Sequence, residues 1–175
     1  NHRILLDDNG LKVRTAKECL TKKSGRIPYS GKFIGGYEAA PSKLICAIHA
    51  DGCLSSNGKD IQFHFKKERK IKRLRALLVG RAFHEYLCAD GSTQFSVPIT
   101  LDLARGGIRP GKQMLEWTGS AMQDYANEIE NWDGCRQGQN IRFFSANADF
   151  LHWARTIIHM SGKGSVYQGT RMSGF

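Results

Sequence analysis

Two aspartates define the chemistry open to this chain: Asp51 and Asp133 each end an apolar stretch and each precede Gly-Cys. The first closes Leu44-Ile45-Cys46-Ala47-Ile48-His49-Ala50-Asp51-Gly52, and the second closes Ala126-Asn127-Glu128-Ile129-Glu130-Asn131-Trp132-Asp133-Gly134. One Asp-Gly after a helix is a stop signal and no more. Two in the same setting are different, because carboxylates brought to one place are hard oxygen ligands for a divalent cation such as Mg²⁺. Such cations activate water, neutralise charge and orient phosphate, which is what hydrolysing a phosphodiester near neutral pH requires.

The segments after each aspartate follow one plan. From Asp51 the chain runs Asp-Gly-Cys, a turn at Asn57-Gly58, Ile61-Gln62-Phe63-His64-Phe65, then the basic run 66–75. From Asp133 it runs Asp-Gly-Cys, a Gly-containing turn, Asn140-Ile141-Arg142-Phe143-Phe144, then the segment 145–162 in the place of the first unit's helix. Repetition at a spacing of about 80 residues points to one structural unit used twice. Pro41 suits the first turn of the first motif helix, Gly52 ends that helix, and Ser120 with Gln123 reads as a capping box for the second. Small Cys46 and Ala50, four apart, let another helix approach closely. The second motif has Glu128 and Trp132 at the equivalent positions, and a buried Glu128 would need a cationic partner. Helices packed side by side about a pseudo-twofold axis carry both aspartates to the same end.

Ile61, Phe63 and Phe65 alternate with Gln62, His64 and Lys66, giving a strand with one core face and one polar face. In 66–78, Ile71, Leu74, Leu77 and Leu78 recur at helical spacing, and the opposite face is basic. That helix is expected to meet phosphates or solvent. Residues 81–99 read as two strands around a turn at Asp90-Gly91, and 100–117 as a loop with a short helix. At the start, Asn9-Gly10 between apolar stretches predicts a hairpin. Residues 24–40, rich in Gly, Pro and Ser without periodicity, read as a linker.

A chain of 175 residues, 41% hydrophobic, is long enough for one compact domain or two halves sharing a core. A formal net charge of +10 draws polyanions, nucleic acid first among them. No apolar run approaches the length of a membrane span, so no membrane partner is expected and the protein is expected to be intracellular and DNA-associated. The cysteines, Cys19, Cys46, Cys53, Cys88 and Cys135, form no CxxC pair and are odd in number. Neither a disulfide framework nor a structural zinc centre is expected from that spacing, and the thiols are expected to be small buried or half-buried residues.

The duplicated helix-Asp-Gly element resembles the LAGLIDADG homing endonucleases of inteins and introns, matching at Leu44, Ile48, Ala50, Asp51 and Gly52. The resemblance runs from about residue 37 to 167. It implies an α+β fold of two pseudo-symmetric αββαββ-type repeats with saddle-shaped antiparallel sheets, residues 37–117 and 118–175, the second truncated. A short β extension, 1–36, precedes them. The implied activity is a Mg²⁺- or Mn²⁺-dependent double-strand break at a long, nearly asymmetric DNA site, leaving short 3′ overhangs. A monomer with an internal pseudo-dimer would make it, in the cytoplasm or nucleoid of a microbial or phage-infected cell. Asp51 and Asp133 would be catalytic and metal-binding. The carbonyls of Ala50 and Trp132 would be further ligands, and Lys112 would assist, although Leu115 replaces a usual proline nearby. His49 stands where the family often has an acid.

Paired hairpins of that kind straddle the major groove, which admits a two-stranded ribbon. The expected reading set is Gln62, His64 and Lys66 with Arg136, Gln137, Gln139, Asn140 and Arg142. The alternative from a different class is a catalytically inactive relative that binds RNA, as a maturase does, or DNA. The opening residues resemble an intein splicing domain, with His2 as its histidine and Lys17, Lys22, Lys23 and Arg26 as added DNA contacts. With no residue before Asn1 and an ending Gly174-Phe175, self-splicing is not expected of this chain.

Overall fold

The computed structural model describes residues 3–7, 11–15, 18, 36, 38, 41–132, 134–138, 140–145 and 147–163. Its elements in chain order are β1 (Arg3–Asp7), β2 (Leu11–Thr15), α1 (Ser42–Asp51), β3 (Cys53–Leu54), β4 (Asp60–Phe65) and α2 (Glu68–Leu77). There follow β5 (His84–Leu87), β6 (Thr93–Pro98), α3 (Leu101–Gly106) and a 3-10 turn (Lys112–Glu116). Helix α4 (Gly119–Glu128) runs into a 3-10 turn (Ile129–Asn131), then β7 (Gly134–Gln137), β8 (Asn140–Phe143) and α5 (Ala148–Met160) complete the order. The fold is mixed α+β.

Strands β3 to β6 form one antiparallel sheet in the order β3-β4-β6-β5. Its core face is the one the alternation predicts: Ile61, Phe63 and Phe65 of β4 and Phe95 and Val97 of β6 are buried. Gln62 pairs with Ser96 and His64 with Gln94, so these four share the opposite face, since side chains alternate with period two. Turns at Gly58 and Gly91 take positive φ, 67° and 76°, which a residue without Cβ adopts at least cost. β1 and β2 pair as the predicted hairpin, Arg3 against Thr15 and Asp7 against Leu11. β7 and β8 form a second two-stranded ladder.

Helix α1 is the centre of the core. Ser42, Leu44, Ile45, Cys46, Ala47, Ile48 and His49 are all buried, with α4 along one side and sheet and helices on the others. Gly106 at the end of α3 permits that crowding, because a Cβ there would lie 2.1 Å from Ile45 Cδ1. Two helix starts differ from expectation. Pro41 is the cap of α1 and not its first residue; its carbonyl accepts from the Ile45 amide at 3.0 Å. Thr118, not Ser120, caps α4 by accepting from the Ala121 amide at 3.3 Å. Ser120 already lies inside the first turn, and its hydroxyl bonds Thr118 and the Glu38 carboxylate instead. No helix among the described residues is long and apolar enough to cross a membrane.

Candidate active site

Helices α1 and α4 meet through a buried polar contact. His49 Nε2–H donates to the Gly107 carbonyl at 2.8 Å, leaving Nδ1 to accept from the Tyr125 hydroxyl at 2.9 Å. A neutral imidazole satisfies both bonds. Burial accordingly pushes the His49 pKa down to about 4. The folded state then binds fewer protons than the unfolded one between pH 4 and about 6.5, so stability falls as pH drops through that window. At about 1.4 kcal/mol per unit the loss approaches 3 kcal/mol by pH 4. Urea unfolding of wild type and His49→Asn from pH 7 to 4 checks this: the wild type should lose roughly 2–3 kcal/mol more than the variant. Parallel curves would remove His49 as the cause.

Where α1 ends, Gly52 takes extended backbone, φ −82° and ψ 144°. Its lack of a side chain serves close approach, since a Cβ would sit 2.8 Å from the Ile48 carbonyl oxygen and 2.9 Å from Ile61 Cγ2. Gly134 stands in the same relation to its own chain: a Cβ there would meet Glu130 Cα at 2.7 Å. In both places the glycine closes on the residue four before it. The two glycines therefore share a geometric reason as well as a sequence setting.

Helix α2 lies across the ends of both motifs. Lys70, buried, holds both carboxylate oxygens of Asp51, at 2.9 and 2.7 Å, and its ammonium stands 5.8 Å from the centre of the Phe65 ring. Arg69 donates to the carbonyls of Asn131, at 2.5 Å, and Trp132, at 2.9 Å. Arg73 binds Glu128 bidentately, through Nε at 2.8 Å and through Nη2. Glu128 is 1% exposed and also accepts from Trp132 Nε1 at 3.1 Å. The buried glutamate thus has the cationic partner its position demands. Cys46 senses the same cluster: burial first, then the charges of Glu128 and Asp51, push its thiol pKa well above the usual value, so it is an inert core residue.

Lys70 and Arg73 depart from the expectation that the basic face of α2 meets phosphates or solvent, whereas Lys67, Arg69, Lys72 and Arg75 are exposed. Those two turn inward because Asp51 and buried Glu128 are carboxylates that must be compensated. Further along, Arg75 pairs with Glu85 and Lys72 with Glu68, so the helix spends much of its charge on the protein itself. Residues Arg69, Lys70 and Arg73 were absent from the expected site. The usable signal was the basic run placed directly after the strand that returns to Asp51.

The other expected site residues are distributed as follows. Ala50 is half-buried beside Asp51, Trp132 is fully buried, and its carbonyl is the one Arg69 holds. Lys112 is exposed at the start of its 3-10 turn. Gln62 is half-buried, while His64 and Lys66 are exposed on the polar side of the sheet; His64 bonds Ser92 and Lys66 pairs with Asp90. Register adds Gln94 and Ser96 to that face, with His84 and Tyr86 opposite them on β5, stacked at 6.4 Å. The period-two pattern of 93–98 could have found the first two. Arg142 is exposed and pairs with Cys135, Arg136 pairs with Ile141, and Gln137 pairs with Asn140. Asp133, Gln139 and the splicing-type residues His2, Lys17, Lys22, Lys23 and Arg26 lie outside the described residues, as do the side chains of Arg136, Gln137 and Asn140. Among the described cysteines, Cys46 is buried and Cys88 half-buried as expected, but Cys53 is exposed, because β3 is a two-residue edge strand.

No family model matches the chain, and no curated protein compared with it matches either.

Proposed function

We propose that the chain is a metal-dependent, site-specific DNA endonuclease of the LAGLIDADG type, built from two repeats. One observation carries the reading: α1 and α4 lie side by side, joined through His49 and Tyr125, and α2 spans the ends of both motifs, with Asp51 at one and Trp132 at the other. A helix precedes and a hairpin then a helix follow each Asp-Gly, and Gly52 and Gly134 make the same close approach. In this reading Asp51 and Asp133 hold Mg²⁺ or Mn²⁺ with the carbonyls of Ala50 and Trp132, an all-oxygen donor set that suits a hard cation. The bound metal supplies an activated water and neutralises phosphate charge. Lys70 orients Asp51 through both of its carboxylate oxygens, and Lys112 stands in reserve on the exposed turn. Duplex DNA lies over the polar sheet faces, where Gln62, His64, Lys66, Gln94 and Arg142 supply donors and acceptors for base edges.

A second reading, a nucleic-acid binder without nuclease activity, is favoured by one specific contact: Lys70 already engages both oxygens of Asp51. The two separate on a randomised duplex library. Protein-bound duplexes are recovered, then incubated with Mg²⁺ or Mn²⁺. Double-strand products with short 3′ overhangs, selected to a common sequence, support the nuclease. Retention with no scission in either metal supports the binder. With much of α2 committed internally, the number of phosphates neutralised is expected near six, giving a log–log salt slope of roughly −5.

A further inference from the structure

On the outer face of the sheet, at the β5–β6 turn, three side chains of unlike chemistry converge. His64 comes from β4, and Cys88 and Asp90 come from the turn; one ligand atom from each lies within 4.8 Å of the others. The turn is rigidly tied. Cys88 N–H donates to the Ser92 carbonyl at 2.8 Å and Gly91 N–H to the Cys88 carbonyl at 3.0 Å. Buried Ser92 links the remaining two, its hydroxyl joining His64 Nε2 at 2.5 Å and Asp90 Oδ1, while its amide donates to Asp90 at 3.1 Å. Lys66 Nζ balances the second carboxylate oxygen at 3.0 Å, from a side chain 70% exposed.

We propose that His64, Cys88 and Asp90 form a binding site for a borderline-soft divalent cation, Zn²⁺ being the natural ligand class. Imidazole, thiolate and carboxylate are the three protein ligand types zinc takes, and three of them leave a fourth position open to water. A thiolate excludes Mg²⁺ as the preferred occupant, so this site is distinct in chemistry from the all-oxygen set around Asp51. Metal–ligand bonds of about 2.0–2.3 Å set donor atoms some 3.5 Å apart, so closure needs side-chain movements on the order of 1 Å. All three side chains are exposed or half-buried, and the movement adjusts the Ser92 and Lys66 contacts of His64 and Asp90. Ser92, bonded to both His64 and Asp90, supplies the outer contact that orients such ligands. Lys66, the cation paired with Asp90, would swing to solvent when a metal binds. The spacing of cysteines in the chain gives no hint of this, because strand pairing assembles the site.

Titration of the full chain with Co²⁺, a spectroscopic substitute for Zn²⁺, tests the proposal. One equivalent should produce a thiolate-to-cobalt charge-transfer band with tetrahedral visible transitions, displaced by Zn²⁺ and unmoved by excess Mg²⁺. Cys88→Ser should abolish the band, and Cys53→Ser, at the exposed thiol outside the cluster, should leave it. His64→Ala and Asp90→Asn should each weaken cobalt binding by at least the roughly 10–100-fold that loss of an outer-shell partner brings, with near-UV circular dichroism confirming a native fold. A missing band, a band surviving Cys88→Ser, or one indifferent to His64→Ala and Asp90→Asn overturns it. None of these readouts depends on DNA cleavage, so the outcome is separate from that of the nuclease reading.

Discussion

Arg73→Met is expected to destabilise the fold by about 3 kcal/mol, near the lower end of the roughly 3–5 kcal/mol seen when one partner of a buried pair is removed. The reason lies in the asymmetry of the pair: Glu128 is 1% exposed and Arg73 is 35% exposed. Removing the guanidinium leaves a carboxylate inside the α1–α4 contact with the Trp132 Nε1–H donor still beside it. A neutral indole donor does not replace a bidentate cation. In a chain of this size the melting temperature should fall by about 6–12 °C, at some 2–4 °C per kcal/mol. The double variant Arg73→Met with Glu128→Gln should recover at least half of the loss, because the amide keeps an acceptor for Trp132 and removes the stranded charge. Equilibrium urea unfolding of the four proteins closes the cycle. If Arg73→Met alone costs under about 1 kcal/mol, the pair is surface-like in its energetics and the inward reading of α2 fails.

The same residues show how far the sequence can be read. Local rules carried well: the alternation in 61–65 placed Ile61, Phe63 and Phe65 in the core, and Asn57-Gly58 and Asp90-Gly91 became turns. These depend on neighbours within a few positions, where periodicity and φ preference act. Helix α2 was half legible. Its apolar stripe of Ile71 and Leu74 was visible, but Lys70 is buried beside that stripe, and a basic residue in a basic run reads as solvated until its partner is known. The partners, Asp51 and Glu128, are 19 and 55 positions from Lys70 and Arg73. A stricter charge balance would have found them, since two carboxylates on apolar helices demand cations and the richest supply begins at Lys66. The His64–Cys88–Asp90 cluster was illegible for another reason: it depends on β4 pairing with β6 in one register, and a shift by one residue would turn His64 to the core face.

Asp51→Asn should abolish DNA scission, lowering the single-turnover rate by at least about 10²–10³-fold, the scale on which preorganised transition-state partners act. The amide preserves volume and one acceptor for Lys70, so the substitution tests charge and not packing; unchanged circular dichroism and unchanged duplex binding should accompany the loss. Lys70→Met separates the two roles that the 2.7 Å contact allows. If the lysine occupies a cation's place beside Asp51, its removal takes away a competing positive charge, and the Mg²⁺ concentration for half-maximal cutting should fall. If it also stabilises the charged transition state, the maximal rate should fall by roughly 10²-fold at the same time. We expect both together: tighter metal dependence and slower chemistry. A variant that cuts at the wild-type rate with unaltered Mg²⁺ dependence would reduce Lys70 to a structural counter-charge, and undiminished cutting by Asp51→Asn would remove the first motif from the reaction altogether.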